Sequence, residues 1–281
     1  MLEIMLPAFA AAVILVGIHA YLGIHILARG VIFVDLALAQ IAALGAITGV
    51  LLGFELHTTG SYFASLAATF IGAGVFAVTR GKKTTGAMQE AAIGIVYVVS
   101  AAMAVMVLDR LPSEAEHLKG MLVGNILFVT WPQVLKTLAL YSAVGLAHYL
   151  FRDRFITISC RPDKAHGQGW SVRFWDFAFY ALFGLVVTSS VELAGVLLVF
   201  TFLIIPAVSA MHFASGISGR LWLGWLMGIL TSLFGILISA RWDLPTGPAI
   251  VCAFGALAVG SYAAARLVRS GRRDNGERLI C

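Results

Sequence analysis

Two residues in the stretch FVDLALAQIAALGA, Phe33 to Ala46, are of types that hold cations: Asp35 and Gln40. A carboxylate and an amide oxygen are hard ligands for a divalent ion, and His19 and His25 upstream would add imidazole nitrogens. The two histidines are six residues apart, which turns them by roughly 240° on a helix, so they do not share a face. Glu55 and His57, beside Thr58 and Thr59, place another carboxylate and imidazole at a loop, and Glu192 stands between TSS and LAG. Each has an ordinary structural reading. Asp35 lies near enough to a helix end to snorkel to the surface, and Gln40 sits where it can hydrogen-bond between helices. The histidines read as packing residues, and Glu55, His57 and Glu192 as solvated groups.

Their setting is what makes them conspicuous. The chain has 281 residues, of which 60% are hydrophobic and 12% charged, and its mean hydropathy is +0.94. A soluble domain carries roughly 25% charged residues. Uncharged runs cover Ile4–Ala28, Leu36–Phe54, Gly60–Thr79, Ala91–Leu108, Leu193–Met211, Leu221–Ala240 and Leu244–Ala265. Each is close to the ~20 residues that a helix needs to cross the hydrocarbon core. Two further segments, Pro132–Phe151 and Phe174–Val191, are marred by Lys136 and Asp176. The expectation is an all-α integral membrane protein of eight or nine transmembrane helices. Residues 1–268 would form a single transmembrane domain, with 269–281 a cytoplasmic tail. The first run lacks a basic n-region and a small-residue cleavage site, which predicts a retained helix rather than a signal peptide.

Alternating the loops across the membrane, with the N-terminus outside, puts 15 of the 19 basic residues on one side. That bias is the positive-inside rule, and it places the C-terminus in the cytoplasm. The net charge of +5 therefore reflects topology rather than a nucleic-acid partner. The longest polar stretch, Phe151 to Asp176, is an inner loop rich in Arg, Trp and Gly, suited to lie along the membrane surface with its arginines near anionic lipid. Glycines and alanines within the helices fit close helix packing.

Several chemistries are excluded. There is no H-E-x-x-H and no G-x-S-x-G. VTRGKKTTG lacks the first glycine of a phosphate loop, because Phe76 stands five residues before Gly81, so ATP is not bound there. Cys160, Cys252 and Cys281 form no C-x-x-C or other close sequence pair, so nothing points to a structural zinc site or a disulfide framework. Pro206 has no N–H to donate and is expected to end or kink the helix LLVFTFLII.

Three stretches together resemble the manganese/zinc/iron (divalent metal) family of ABC importer permease subunits. They are GVIFVDLALAQIAALGA; the segment Gln89–Leu127, which opens QEAAIGIVY; and AGVLLVFTFLIIPAVSAMHFA, followed one helix later by DLPTGPAIV. The resemblance implies a type II ABC importer permease-like bundle in the bacterial inner membrane. It further implies a homodimer that binds cytoplasmic ATPase subunits and accepts a divalent ion (Zn, Mn or Fe) from an extracytoplasmic metal-binding protein. No permanently bound cofactor is implied, and the chain would be a transport subunit rather than an enzyme. On this resemblance Ala207–Arg220 is the coupling helix, with Pro206, Ser209, Ala210, Ser215, Gly216 and Arg220 serving ATPase coupling.

The departure from the family's pattern falls on the metal residues themselves. There the aspartate is followed four residues later by histidine; here Ala39 holds that place and Gln40 comes fifth. Asp35 and Gln40 remain the pathway residues, with His19 and His25 as the nearest imidazoles. An altered ligand set leaves room for a different cation, or for a chelate or haem as cargo. An ion-coupled carrier without an ATPase is the alternative from another class.

Overall fold

The computed structural model describes residues 2–55, 58–80, 86–111 and 126–270. His57 and residues 271–281 of the expected tail lie outside the described residues, as does most of the loop that precedes Leu127. Among the described residues eleven α-helices follow in chain order: α1 Leu2–Arg29, α2 Val34–Leu51, α3 Thr59–Thr79, α4 Gly86–Leu108, α5 Trp131–Leu150, α6 Arg152–Cys160, α7 Pro162–Gly167, α8 Val172–Ala194, α9 Val196–Met211, α10 Ile217–Trp242 and α11 Thr246–Ser270. In lipid every backbone polar group needs an internal partner, which is why such apolar sequence is helical throughout.

The helix ends follow local chemistry. Gly30 (φ 68°) and Gly195 (φ 77°) occupy backbone space that other residues enter only under strain, and they close α1 and α8. The DLPTGP turn reverses the chain between α10 and α11. Ser239 Oγ donates to the Leu244 carbonyl at 2.7 Å and lies 2.8 Å from Thr246 Oγ1, while Gly247 and Pro248 open α11.

Among the described residues, seven helices are long and apolar enough to cross a membrane: α1 to α4, α8, α10 and α11. An eighth span is the pair α5 and α6 if it is counted as one, bent by 76° at Phe151. Up to eight lies within the expectation of eight or nine. The alternation that puts the two termini on opposite sides needs an odd number, so it counts the short α9 as a ninth crossing. The ninth run, Leu193–Met211, forms the 16-residue α9, which at 1.5 Å per residue falls short of the roughly 30 Å hydrocarbon core. Of the two outcomes expected at Pro206, an end or a kink, the helix does not end there: the proline stands inside α9.

The chain folds as two compact units. The first comprises Met1–Ala28, Asn125–Tyr141 and Leu197–Cys281. Its helices touch at glycines: a Cβ at Gly23 would run into the Leu203 carbonyl, and one at Gly228 would meet Val16 Cγ1 at 2.6 Å. Gly224 faces the Pro206 carbonyl, so α10 is slim where α9 carries its proline. Trp225 Nε1 donates to the Gly17 carbonyl at 2.9 Å, and Phe202 meets Phe254 edge to face. The second unit comprises Arg29–Gly124 and Ser142–Val196. There α2 is the central helix, packed on α3, α4 and α8. Gly45 lies against the backbone of Ala64 and Ser65, and Ser65 Oγ donates to the Ala42 carbonyl at 2.6 Å. Gly184 of α8 seats Thr69 of α3, whose hydroxyl is 3.1 Å from that of Thr188.

Candidate functional site

Asp35 is the second residue of α2, so its carboxylate stands where the helix presents unpaired N–H groups and the positive end of its dipole. Only 1% of the residue is exposed, and neither carboxylate oxygen has a hydrogen-bond partner among the described residues. Within this chain it does not snorkel to solvent. Gln40, five positions on, is turned about 140° from Asp35 and lies about 7.5 Å further along the axis. It is half-buried, on a different side of α2. The two therefore do not form a one-face pair of the kind that a four-residue spacing creates.

The candidate imidazoles belong to the other unit. His19 is fully buried, its Nδ1–H donating to the Leu15 carbonyl at 2.7 Å, and its ring meets Tyr141 edge-on at 6.2 Å. That bond fixes the tautomer and leaves Nε2 as the acceptor nitrogen. His25 is 2% exposed and packs edge-on against Tyr21 at 4.8 Å. Glu55 and Glu192 are exposed, as the solvated reading expects. Among the described residues no three His, Cys, Asp or Glu side chains gather where they could hold an ion.

The QEA segment is tied to the start of α2. Glu90 Oε1 accepts from the Phe33 backbone N–H at 3.0 Å, and Gln89 Nε2 donates to Tyr180 Oη at 3.1 Å.

Sequence reasoning missed a second polar cluster in the same unit. Asp176, fully buried on α8, receives on one oxygen both Arg29 Nη1, from the end of α1, and Arg80 Nη1, just past α3, each at 2.6 Å. Arg29 Nε donates to Ser159 Oγ at 3.0 Å, and Arg80 Nη2 to the Ile158 carbonyl at 3.1 Å, so both arginines also grip α6. The Arg29 guanidinium lies 3.9 Å over the Phe179 ring, and burial together with Arg29's like charge pulls the Arg80 pKa down from its ordinary value. Two cations share one anion, and Arg29 Nη2 and Asp176 Oδ2 find no partner among the described residues. The signal was present: Asp176 mars an otherwise apolar run. Its partners are far away in sequence, and the positive-inside count treats them as loop charges. The clasp gathers Arg29, Arg80 and the Phe151–Asp176 stretch, all of which the loop alternation assigns to one side.

The proposed coupling residues sit at the reversal from α9 to α10. Ser209 and Ala210 are buried within α9, and no separate helix spans 207–220; residues 212–216 form the turn. Phe213, Ser215, Gly216, Ser218 and Gly219 are its exposed face. Arg220 is 3% exposed, and its Nε donates to the Ala214 carbonyl at 3.3 Å across the turn.

Comparison with known proteins adds an independent line. The model of the ABC 3 transport family matches residues 1–265. The high-affinity zinc uptake system membrane protein ZnuB of Haemophilus influenzae is 25% identical over 89% of this chain and 94% of its own length. The chelated iron transport system membrane protein YfeD of Yersinia pestis is 26% identical over 87% of this chain and 80% of its own. Among solved structures, PsaBC from Streptococcus pneumoniae in complex with Fab superposes with a TM-score of 0.79 at 20% identity, covering 96% of both chains; it is similar in fold.

Proposed function

The chain belongs to the ABC 3 transport family, and from that premise we propose that it is the membrane-spanning permease subunit of an ATP-driven importer of a divalent transition metal. Residues 1–268 act as one permease domain, two copies of which form a homodimer with the ion pathway between them. ATP hydrolysis resides in a separate cytoplasmic subunit, and an extracytoplasmic metal-binding protein delivers the ion. The C-terminus faces the cytoplasm.

The observation that carries this reading is Asp35. A buried carboxylate with both oxygens unpartnered among the described residues is costly in an empty protein and favourable beside a cation. The names of the relatives supply the cargo class, zinc in one and chelated iron in another. Zinc, manganese and iron all accept carboxylate oxygen, and an imidazole ligand would tilt a site toward zinc or iron. The absence of imidazole at position 39 favours a chelate as the second reading.

The test is cellular metal content in a strain lacking the chain, complemented with wild type or with Asp35→Asn at equal membrane levels. Wild type restores one metal and the variant does not. Equal restoration by both would remove Asp35 from the pathway, and restoration by a chelate alone would select the second reading.

A further inference from the structure

The bend between α5 and α6 turns the chain by 76°, so a helix leaving a roughly upright span runs close to the membrane plane. α6 and α7 are short and two-sided. Phe155, Ile158, Ser159 and Ala165 are buried, with α6 and α7 both packed on α8, while Arg152, Arg154, Arg161 and Lys164 are exposed. The buried side is fixed from below, since Arg29 holds Ser159 and Arg80 holds the Ile158 carbonyl. The basic side is thereby presented as a rigid surface.

Two details of that surface point to one partner. The Arg154 guanidinium lies 5.5 Å over the Trp170 ring and 4.8 Å over that of Trp175, and Arg152 lies 5.0 Å over Tyr149. A guanidinium stacked on a ring can present its N–H edge to the oxygens of a phosphate, as Arg154 is placed to do, while Arg152 Nε lies 3.9 Å from Asp153 Oδ1. Apolar side chains flank the same place: Tyr149, Leu150, Phe151 and Phe174 are 46–66% exposed. Aromatic rings at headgroup level, arginines above them and exposed hydrocarbon beside them are the chemistry of the lipid interface. Arg152, Arg154, Arg161, Lys164 and Arg173 outnumber the exposed Asp153 and Asp163.

We propose that the α6–α7 surface is a docking site for anionic phospholipid of the surrounding leaflet, with the phosphate held by Arg154 and its neighbours and the acyl chains lying against the exposed aromatics. This site is independent of cargo and holds whether the transported species is an ion or a chelate. Anionic lipid bound there would stabilise the bend and, through Ser159 and Ile158, the Arg29–Asp176–Arg80 clasp beneath it.

The test is native mass spectrometry of the purified full chain in a zwitterionic detergent, titrated separately with dioleoylphosphatidylglycerol and dioleoylphosphatidylcholine. Wild type retains the anionic lipid at lower concentrations than the zwitterionic one. Arg154→Gln, Arg161→Gln and Lys164→Gln together abolish that preference, each charge contributing about fivefold. All three side chains are exposed, so the variant keeps its thermal unfolding midpoint in detergent. Equal retention of both lipids by wild type, or an undiminished preference in the triple variant, would overturn the proposal.

Discussion

Asp35 and Asp176 are both buried aspartates in the same unit, yet their situations are opposite. Asp176 is paired with two arginines, whereas Asp35 has no partner among the described residues. Removing one member of a buried ion pair leaves uncompensated charge and costs roughly 3–5 kcal/mol. Asp176→Asn would strand Arg29 and Arg80 together, so its thermal unfolding in detergent should fall sharply, while the exposed Arg152→Gln should hardly move it. Asp35→Asn should behave in the reverse way. It removes a buried carboxylate that has only the helix dipole in its favour, so the metal-free chain should be about as stable as wild type, with transport lost. The sequence exposed both aspartates as charges beside or within apolar runs, but not which was structural. That distinction rests on partners about a hundred or more residues away, which no local pattern encodes.

At the level of elements, the spans were legible because apolar runs of about 20 residues have one stable form in lipid. The glycine-rich packing was legible too, and it yields a contrast. A Cβ at Gly45 would stand 2.8 Å from the Ala64 carbonyl oxygen of α3, whereas one at Gly94 would meet nothing within 4 Å among the described residues. Gly45→Leu should push α2 from α3 and lower folded yield in detergent several-fold, and Gly94→Leu should leave it unchanged, as size-exclusion chromatography would report. The helices α6 and α7 were not legible. They are too short to be stable alone and depend on burial of Phe155, Ile158 and Ala165. Pro206 is expected to end or kink its helix, and α9 runs on through it to Met211, with Gly224 and Gly228 of α10 beside the proline. If the α9–α10 turn contacts the ATPase, Arg220→Ala frees the Ala214 carbonyl and loosens the exposed face. Transport should then fall severalfold while the ATPase subunit, assayed alone, keeps its turnover.

For the whole molecule, the chain belongs to the ABC 3 transport family, and the loop alternation proposes that its more basic side faces inward. The clasp on Asp176 supports that topology, because it joins segments that the loop alternation had assigned to one side. Cargo identity was the least legible feature, since it depends on a few oxygens and nitrogens whose convergence is set by tertiary structure. The most direct measurement is accumulation of zinc, manganese and ferrous ions in proteoliposomes containing this chain with its ATPase, using wild type and Asp35→Asn in parallel. Wild type should concentrate one of the three only when ATP is supplied, and Asp35→Asn should lower that uptake at least tenfold at equal protein content. Uptake that needs no ATP, or that is the same in both proteins, would contradict the account.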